Sequence, residues 1–294
     1  MEIQWPLVFF TSLMCTAAGL IAGLGALIVA GKGAKAYLPG SVVAFVAIVL
    51  GGLSSFMHLQ HWERIFNGFG NPTSGITQEL VAIVVAVVVL VVLFVMARKA
   101  EGGALPKWLG VVMIVVGVAM ALVCAGSYMM PARPAWSNAS MVLYFLASAF
   151  VLGTSLLWCL LAFVGEDELA KGTGLVTLVA GVVAAIVVAI FAMVAQGATY
   201  NQVQSFFDPT APTVEPIVGA DAVGGVFAQN GGMLWGGGLV VGGIVPAVLG
   251  AVAKFASNVP SKVLAPIAFV CAFIGAVCFR GVFYMLGVTV FGIF

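Results

Sequence analysis

The chain has 294 residues, 63% of them apolar and only 7% charged, and carries a net charge of +1 at neutral pH. Soluble domains hold about 25% charged residues, so a soluble globular fold is excluded, and the near-neutral balance implies no nucleic-acid partner. A mean hydropathy of +1.22 and apolar runs of bilayer length indicate an all-α polytopic membrane protein; a transmembrane barrel would show short alternating strands instead.

Eight transmembrane helices are predicted, at roughly 7–30, 40–60, 78–97, 108–130, 139–163, 173–196, 230–252 and 263–285. Eight such helices suit two four-helix bundles, and residues 1–294 are read as a single integral membrane domain. Glu2 precedes the first apolar run, where a cleavable signal would carry a basic region. The first span contains Gly19-x-x-x-Gly23, and the seventh contains Gly232-x-x-x-Gly236 and Gly238-x-x-x-Gly242. These are expected to be close helix-packing sites.

The second span runs into Phe56-Met57-His58-Leu59-Gln60-His61-Trp62-Glu63-Arg64-Ile65-Phe66-Asn67, which holds both histidines of the chain. The third span opens in Ser74-Gly75-Ile76-Thr77-Gln78-Glu79-Leu80. The remaining breaks carry Gly, Pro and charge: Gly31-Lys32-Gly33, Arg98 to Gly103, Pro131-Ala132-Arg133-Pro134, Glu166-Asp167-Glu168 and Asn258 to Lys262. Between the sixth and seventh spans lies the longest connection, about residues 197–229, with Asp208, Glu215, Asp221 and no Lys or Arg. A loop of that length is usually functional or disordered.

Lys and Arg set the expected orientation. With the amino terminus outside, the cytoplasmic loops hold Lys32, Lys35, Arg98, Lys99, Lys107, Lys171, Lys254 and Lys262, eight of the eleven basic residues. The other side receives Arg64 and Arg133, with Arg280 near the outer end of the last helix. Cytoplasmic loops collect the basic residues, so both termini, the His58–Gln78 loop and the 197–229 connection are expected outside.

Cys15, Cys124, Cys159, Cys271 and Cys278 all fall inside spans and form no C-x-x-C pair. They read as small packing residues, and an iron–sulfur cluster, which needs several convergent thiolates, is not expected in this chain. A bis-histidine haem is not expected either. His58 and His61 are one turn apart on one segment, whereas such a haem takes ligands from opposite sides of its ring. No metal site is predicted.

His58 is expected to end the second helix and Glu79 to open the third, so a short loop brings the two helix ends together near the outer face. Ionisable groups in such places are costly and suggest function. Imidazole accepts protons near neutral pH, and a carboxylate can act as a second acceptor or relay. A quinol, with two hydroxyls and a lipid tail, would enter from the bilayer and present its head there. Each residue also has an ordinary reading. His58 can bond a helix-end carbonyl, and Glu79 in a first turn would favour the macrodipole. Glu63 and Arg64 can be solvated loop charges, and His61 and Trp62 interfacial anchors.

The segment His58-Leu59-x-x-x-x-Arg64-x-Phe66-Asn67, followed by Ser74-x-x-x-Gln78-Glu79, resembles the membrane-anchor subunit of dimethyl sulfoxide reductase-type molybdoenzymes. These are related to the polysulfide-reductase-type quinol-interacting membrane subunits. The family signature reads roughly H-L-G-x-P-x-R-A-F-N, then a polar loop and S-N-E. The eight-helix layout and a late Arg280-Gly281-x-Phe283-Tyr284 fit it too. Gln60, Trp62 and Gln78 depart from the pattern, where it has Gly, Pro and Asn.

The resemblance implies a quinol site using His58 and Glu79, with Arg64, Asn67 and Ser74 beside the head group. It implies an iron–sulfur electron-transfer subunit and a molybdopterin catalytic subunit on the outer face of a prokaryotic cytoplasmic membrane. The expected role is to anchor a respiratory complex, oxidise menaquinol and pass electrons to the iron–sulfur subunit in anaerobic electron transport. Such a chain would not itself reduce the terminal acceptor. A purely structural anchor is the alternative. An ion-coupled transporter would keep acids at the bilayer midplane, and the middles of the predicted spans lack Asp, Glu, Lys and His.

Overall fold

The computed structural model describes residues 3–59, 61, 64, 67, 69–100, 103–198, 219–256 and 259–288, with 219–222 described by backbone alone. Eight helical spans are long and apolar enough to cross a membrane. They comprise α1 (Trp5–Val29), α2 (Ala34–Phe56), α3 (Gly75–Lys99), α4 (Lys107–Gly126), α5 (Ala139–Phe163) and α6 (Asp167–Gln196). A compound seventh span follows, made of α7 (Gly219–Gly231), a π-helical segment (Gly232–Ile244) and α8 (Val245–Phe255). The last helix among the described residues is α9 (Ser261–Met285).

Three boundaries differ from expectation for physical reasons. Helix α2 begins at Ala34, after Gly33 in the left-handed region at φ 73°, and runs through Pro39. Pro39 is the sixth residue of the helix, so it removes one interior donor, the N–H that would have bonded the Lys35 carbonyl. Helix α6 begins at Asp167, so Asp167 and Glu168 are its first turn and not a loop; acids at a helix start favour the dipole. The connection read as 197–229 is shorter than expected, because α7 is already helical from Gly219. Asp208 and Glu215 lie outside the described residues.

In the seventh span Asn230 departs from helical geometry at φ −116°, ψ 20°. The π-helical segment then leads to Pro246, one residue into α8. Proline lacks the N–H that a helix would use there, and the π-helical segment lies directly before it.

Spans α1 to α4 pack on one another, and so do α5, α6, the compound seventh span and α9, which gives two four-helix groups. They join mainly where α1 meets α5, and where α9 reaches both. Glycine sets the closest approach. A Cβ on Gly19 would collide with the backbone of Ala149 and Gly153, and one on Gly153 with Gly19. Gly242 meets Gly275 in the same way. Gly232 and Gly236 face open space, so the first repeat of the seventh span is not a packing site.

All the short, basic connections lie on one side. Lys35 Nζ reaches Glu166 Oε1 at 3.8 Å, and a Cβ on Gly103 would meet Ala34 Cβ at 2.6 Å. The opposite side carries the 57–74 and 127–138 segments. Helix α3 is peripheral: Val84, Val88, Val91 and Val95 are exposed, as lipid-facing residues would be.

Candidate functional site

Helix α2 stops by tightening. The Met57, His58 and Leu59 N–H groups donate three residues back, to Ser54, Ser55 and Phe56 carbonyls at 3.2, 3.0 and 3.2 Å. His58 therefore lies just past the helix and is exposed. Arg64 and Asn67 are exposed as well. Trp62 and Glu63 lie outside the described residues. The return to α3 is built locally: Asn71 Oδ1 accepts from Thr73 Oγ1 at 2.7 Å, and the Ser74 N–H donates to the Asn71 carbonyl at 3.1 Å. Ser74 is half-buried and extended at φ −65°, ψ 133°, in the N-cap position. Its carbonyl accepts from the Gln78 N–H at 3.0 Å.

Because α3 begins at Gly75, Glu79 sits a full turn inside it and not in the first turn. Its side chain faces inward and is 9% exposed. Gly75, one turn earlier on the same face, lets α3 close on α4: a Cβ there would lie 2.9 Å from Ser127 Oγ. The Ser127 hydroxyl is the polar neighbour of Glu79, yet Glu79 Oε1 is buried with no hydrogen-bond partner. An unpaired buried carboxylate oxygen is costly, and such groups call for an explanation. Among the described residues no hydrogen bond or ion pair joins Glu79 to His58, so the expected pair is not a direct contact.

A pocket of about 510 Å³ opens beside this point, between α3 and α4 at the end that carries the 69–74 segment. Phe69 and Pro72 close its loop end, Gln78 and Thr77 give it polar groups, and Val85, Ala119 and Val123 make up its apolar wall. That volume lies in the usual range for small-ligand sites. Neither His58 nor Glu79 lines it; Glu79 is on the adjoining inward face of α3. Thr77 and Gln78 stand beside Glu79 in the sequence, but helix-end position alone did not mark them as pocket residues.

The C-terminal end of α9 is locked into an aromatic box. Tyr128 lies against Trp136, Phe145, Phe283 and Tyr284, with ring centroids 5.6–5.9 Å apart. Trp136 Nε1 donates to the Phe283 carbonyl at 2.8 Å. Tyr284 and Tyr128 share a hydroxyl hydrogen bond of 2.7 Å. One turn deeper, Arg280 is completely buried. Its Nη1 donates to Tyr144 Oη and Ser148 Oγ, both at 3.1 Å, and its Nη2 to Cys15 Sγ at 3.0 Å. Cys15 is thus more than a packing residue. Among the described residues, no group of three or more His, Cys, Asp and Glu side chains converges as metal ligands would.

The motif at the α2–α3 junction and the eight-span layout agree with a family match that spans nearly the whole chain. Residues 1–286 match the family described as DMSO reductase anchor subunit (DmsC). The chain belongs to this family. It is a multi-pass membrane protein and a membrane-anchor subunit of a DMSO reductase-type complex, associated with catalytic and electron-transfer subunits. No curated protein matches it.

Proposed function

We propose that this anchor subunit oxidises menaquinol and hands the electrons to an iron–sulfur subunit, which feeds a molybdopterin catalytic subunit in anaerobic respiration. The observation that carries the reading is a buried carboxylate, Glu79, with an unpartnered oxygen beside a largely apolar pocket near the start of α3. A quinol ring entering between α3 and α4 meets Thr77 and Gln78, with its isoprenoid tail along the Val85–Ala119 wall. Glu79 takes one proton. His58, on the loop that leads to the pocket rim, takes the other and releases it to water. Arg64, Asn67 and Ser74 order the head group and the loop. General-base assistance of this kind is typically worth 10²–10⁴-fold.

The basic connections face the cytoplasm in this reading, which puts both termini, His58 and the partner subunits on the outer side of a prokaryotic cytoplasmic membrane. Electrons and protons then leave on the same side, and the step moves no net charge across the bilayer. Residues 1–294 act as one integral membrane domain holding menaquinol as substrate, with no haem or iron–sulfur cluster of its own. The test compares two electron donors in the intact complex. Menadiol-driven reduction of the terminal acceptor should fall by about 10²-fold or more in Glu79→Gln, while viologen-driven reduction, which bypasses this chain, persists. Equal retention of both activities would leave a purely structural anchor.

A further inference from the structure

Arg280 carries a charge that nothing in the proposed quinol chemistry balances. A guanidinium with no solvent contact inside a membrane domain is costly unless an opposite charge offsets it. Among the described residues its hydrogen-bond partners are Tyr144, Ser148 and Cys15, and none is a carboxylate. Cys15 is itself a thiol donor, to the Phe145 carbonyl at 3.8 Å. The Tyr144 and Phe145 rings lie 5.2 Å from the guanidinium carbon. Such contacts lower the cost without cancelling the charge.

Donors outnumber acceptors around this side chain. A guanidinium has five N–H groups and no acceptor. Tyr144 Oη and Ser148 Oγ each accept from Nη1 at 3.1 Å, so the proton of each hydroxyl must point away from Arg280. Further along α5, Thr154 and Ser155 send theirs to carbonyls four residues back, at 2.8 and 2.6 Å. Ser148 makes no such bond among the described residues. A cavity of about 10 Å³ adjoins both Tyr144 and Ser148, inside the second four-helix group. Ala184 of α6, Gly238 and Gly242 of the π-helical segment and Gly275 of α9 form its other walls. Among the described residues, Tyr144 and Ser148 alone bring polar side chains to it.

We propose that this cavity binds one halide ion, chloride in the cell, held by the Tyr144 and Ser148 hydroxyls as the counter-charge of Arg280. The volume is on the scale of a single water molecule, which suits a monatomic anion and not a polyatomic one. Water would accept from both hydroxyls, but it would bring two protons of its own to apolar walls and leave the charge uncancelled. A halide accepts from both, adds no donor and neutralises the guanidinium through the two hydroxyls that Nη1 already holds. Hydrogen bonds to an ion are roughly twice as strong as neutral ones, and in a low-dielectric interior the attraction between the charges is little screened. The ion completes a cluster that joins α1, α5 and α9, where the two four-helix groups meet. The site shares no lining residue with the α3–α4 pocket and does not depend on quinol oxidation.

The experiment replaces chloride with bromide throughout growth and purification of the complete complex, and locates bromide in its crystals by anomalous scattering. A peak is expected within hydrogen-bond reach of both Tyr144 Oη and Ser148 Oγ. Ser148→Ala and Tyr144→Phe should each lose it. In solution, the wild-type complex should melt at a higher temperature in chloride or bromide than in gluconate at equal ionic strength, because an ion that binds only the folded state stabilises it. Ser148→Ala should lose that difference. Absence of a peak at the cavity overturns the inference, and so does density there that does not scatter anomalously, which would be water. A peak that persists undiminished in both variants overturns it as well. If neither variant assembles, the wild-type crystals decide alone, and no bromide at the cavity rejects the site.

Discussion

At the scale of single residues, position relative to the helix start decides what Glu79 is. From the sequence it reads equally well as an ordinary first-turn acid. The helix begins at Gly75, though, and the absent side chain there lets α3 press against Ser127. That puts Glu79 a turn deeper and turns it inward. Gly75→Leu should therefore disturb Glu79 without touching it, and menadiol-driven turnover should drop while viologen-driven turnover stays. Unchanged quinol activity in Gly75→Leu would mean that the close approach does not matter for Glu79. His58→Ala should lower quinol-driven turnover by about 10²-fold or more if His58 is the second proton acceptor. His61→Ala should be much milder, because the family motif has no histidine there. Equal losses in the two variants would remove the special role of His58.

The same residues show how much of the site was legible. The segment from His58 to Glu79 stood out because charge is rare in this chain and gathers there. The burial of Glu79 did not, since it depends on a glycine contact across two helices. Arg280 was visible as part of a motif, but its isolation was not. Its partners come from α1 and α5, more than a hundred positions away in sequence, and no local pattern encodes that convergence.

At the scale of elements, periodicity and length located all eight spans, because a bilayer imposes both. Boundaries failed where a residue has two meanings. The second span was expected from about residue 40, yet α2 begins at Ala34 and carries Pro39 inside it; Asp167-Glu168 looked like a loop and starts α6. Small residues told more about crossings than about ends. Gly19 and Gly153 fix the α1–α5 contact, and overpacking a close-packed site costs about 1–3 kcal/mol. Gly153→Leu should lower the melting temperature of the purified complex, whereas Gly232→Leu, at an open position, should leave it nearly unchanged. Similar melting for the two would contradict the glycine-on-glycine joint. The pocket between α3 and α4 gives a second test at this scale. Ala119→Phe fills its wall with a ring, and should raise the menadiol concentration needed for half-maximal turnover without affecting the viologen route. An unaltered menadiol dependence would mean that quinol does not use this groove.

At the scale of the whole molecule, charge sorts the connections into two faces, and the site lies on the face poor in lysine. Cysteines introduced at positions 209 and 212 should react with a membrane-impermeant thiol label from outside. Cysteines introduced at positions 100 and 104 should react only after the membrane is opened. The reverse pattern would invert the orientation and put the quinol site on the cytoplasmic side. The most direct test of quinol oxidation by this anchor is a rapid-mixing experiment on the complete complex, following reduction of its iron–sulfur centres by paramagnetic resonance after addition of menadiol. The wild-type complex should reduce them promptly, and Glu79→Gln about 10²-fold more slowly. Reduction at the same rate in both would contradict a quinol-oxidising role for Glu79.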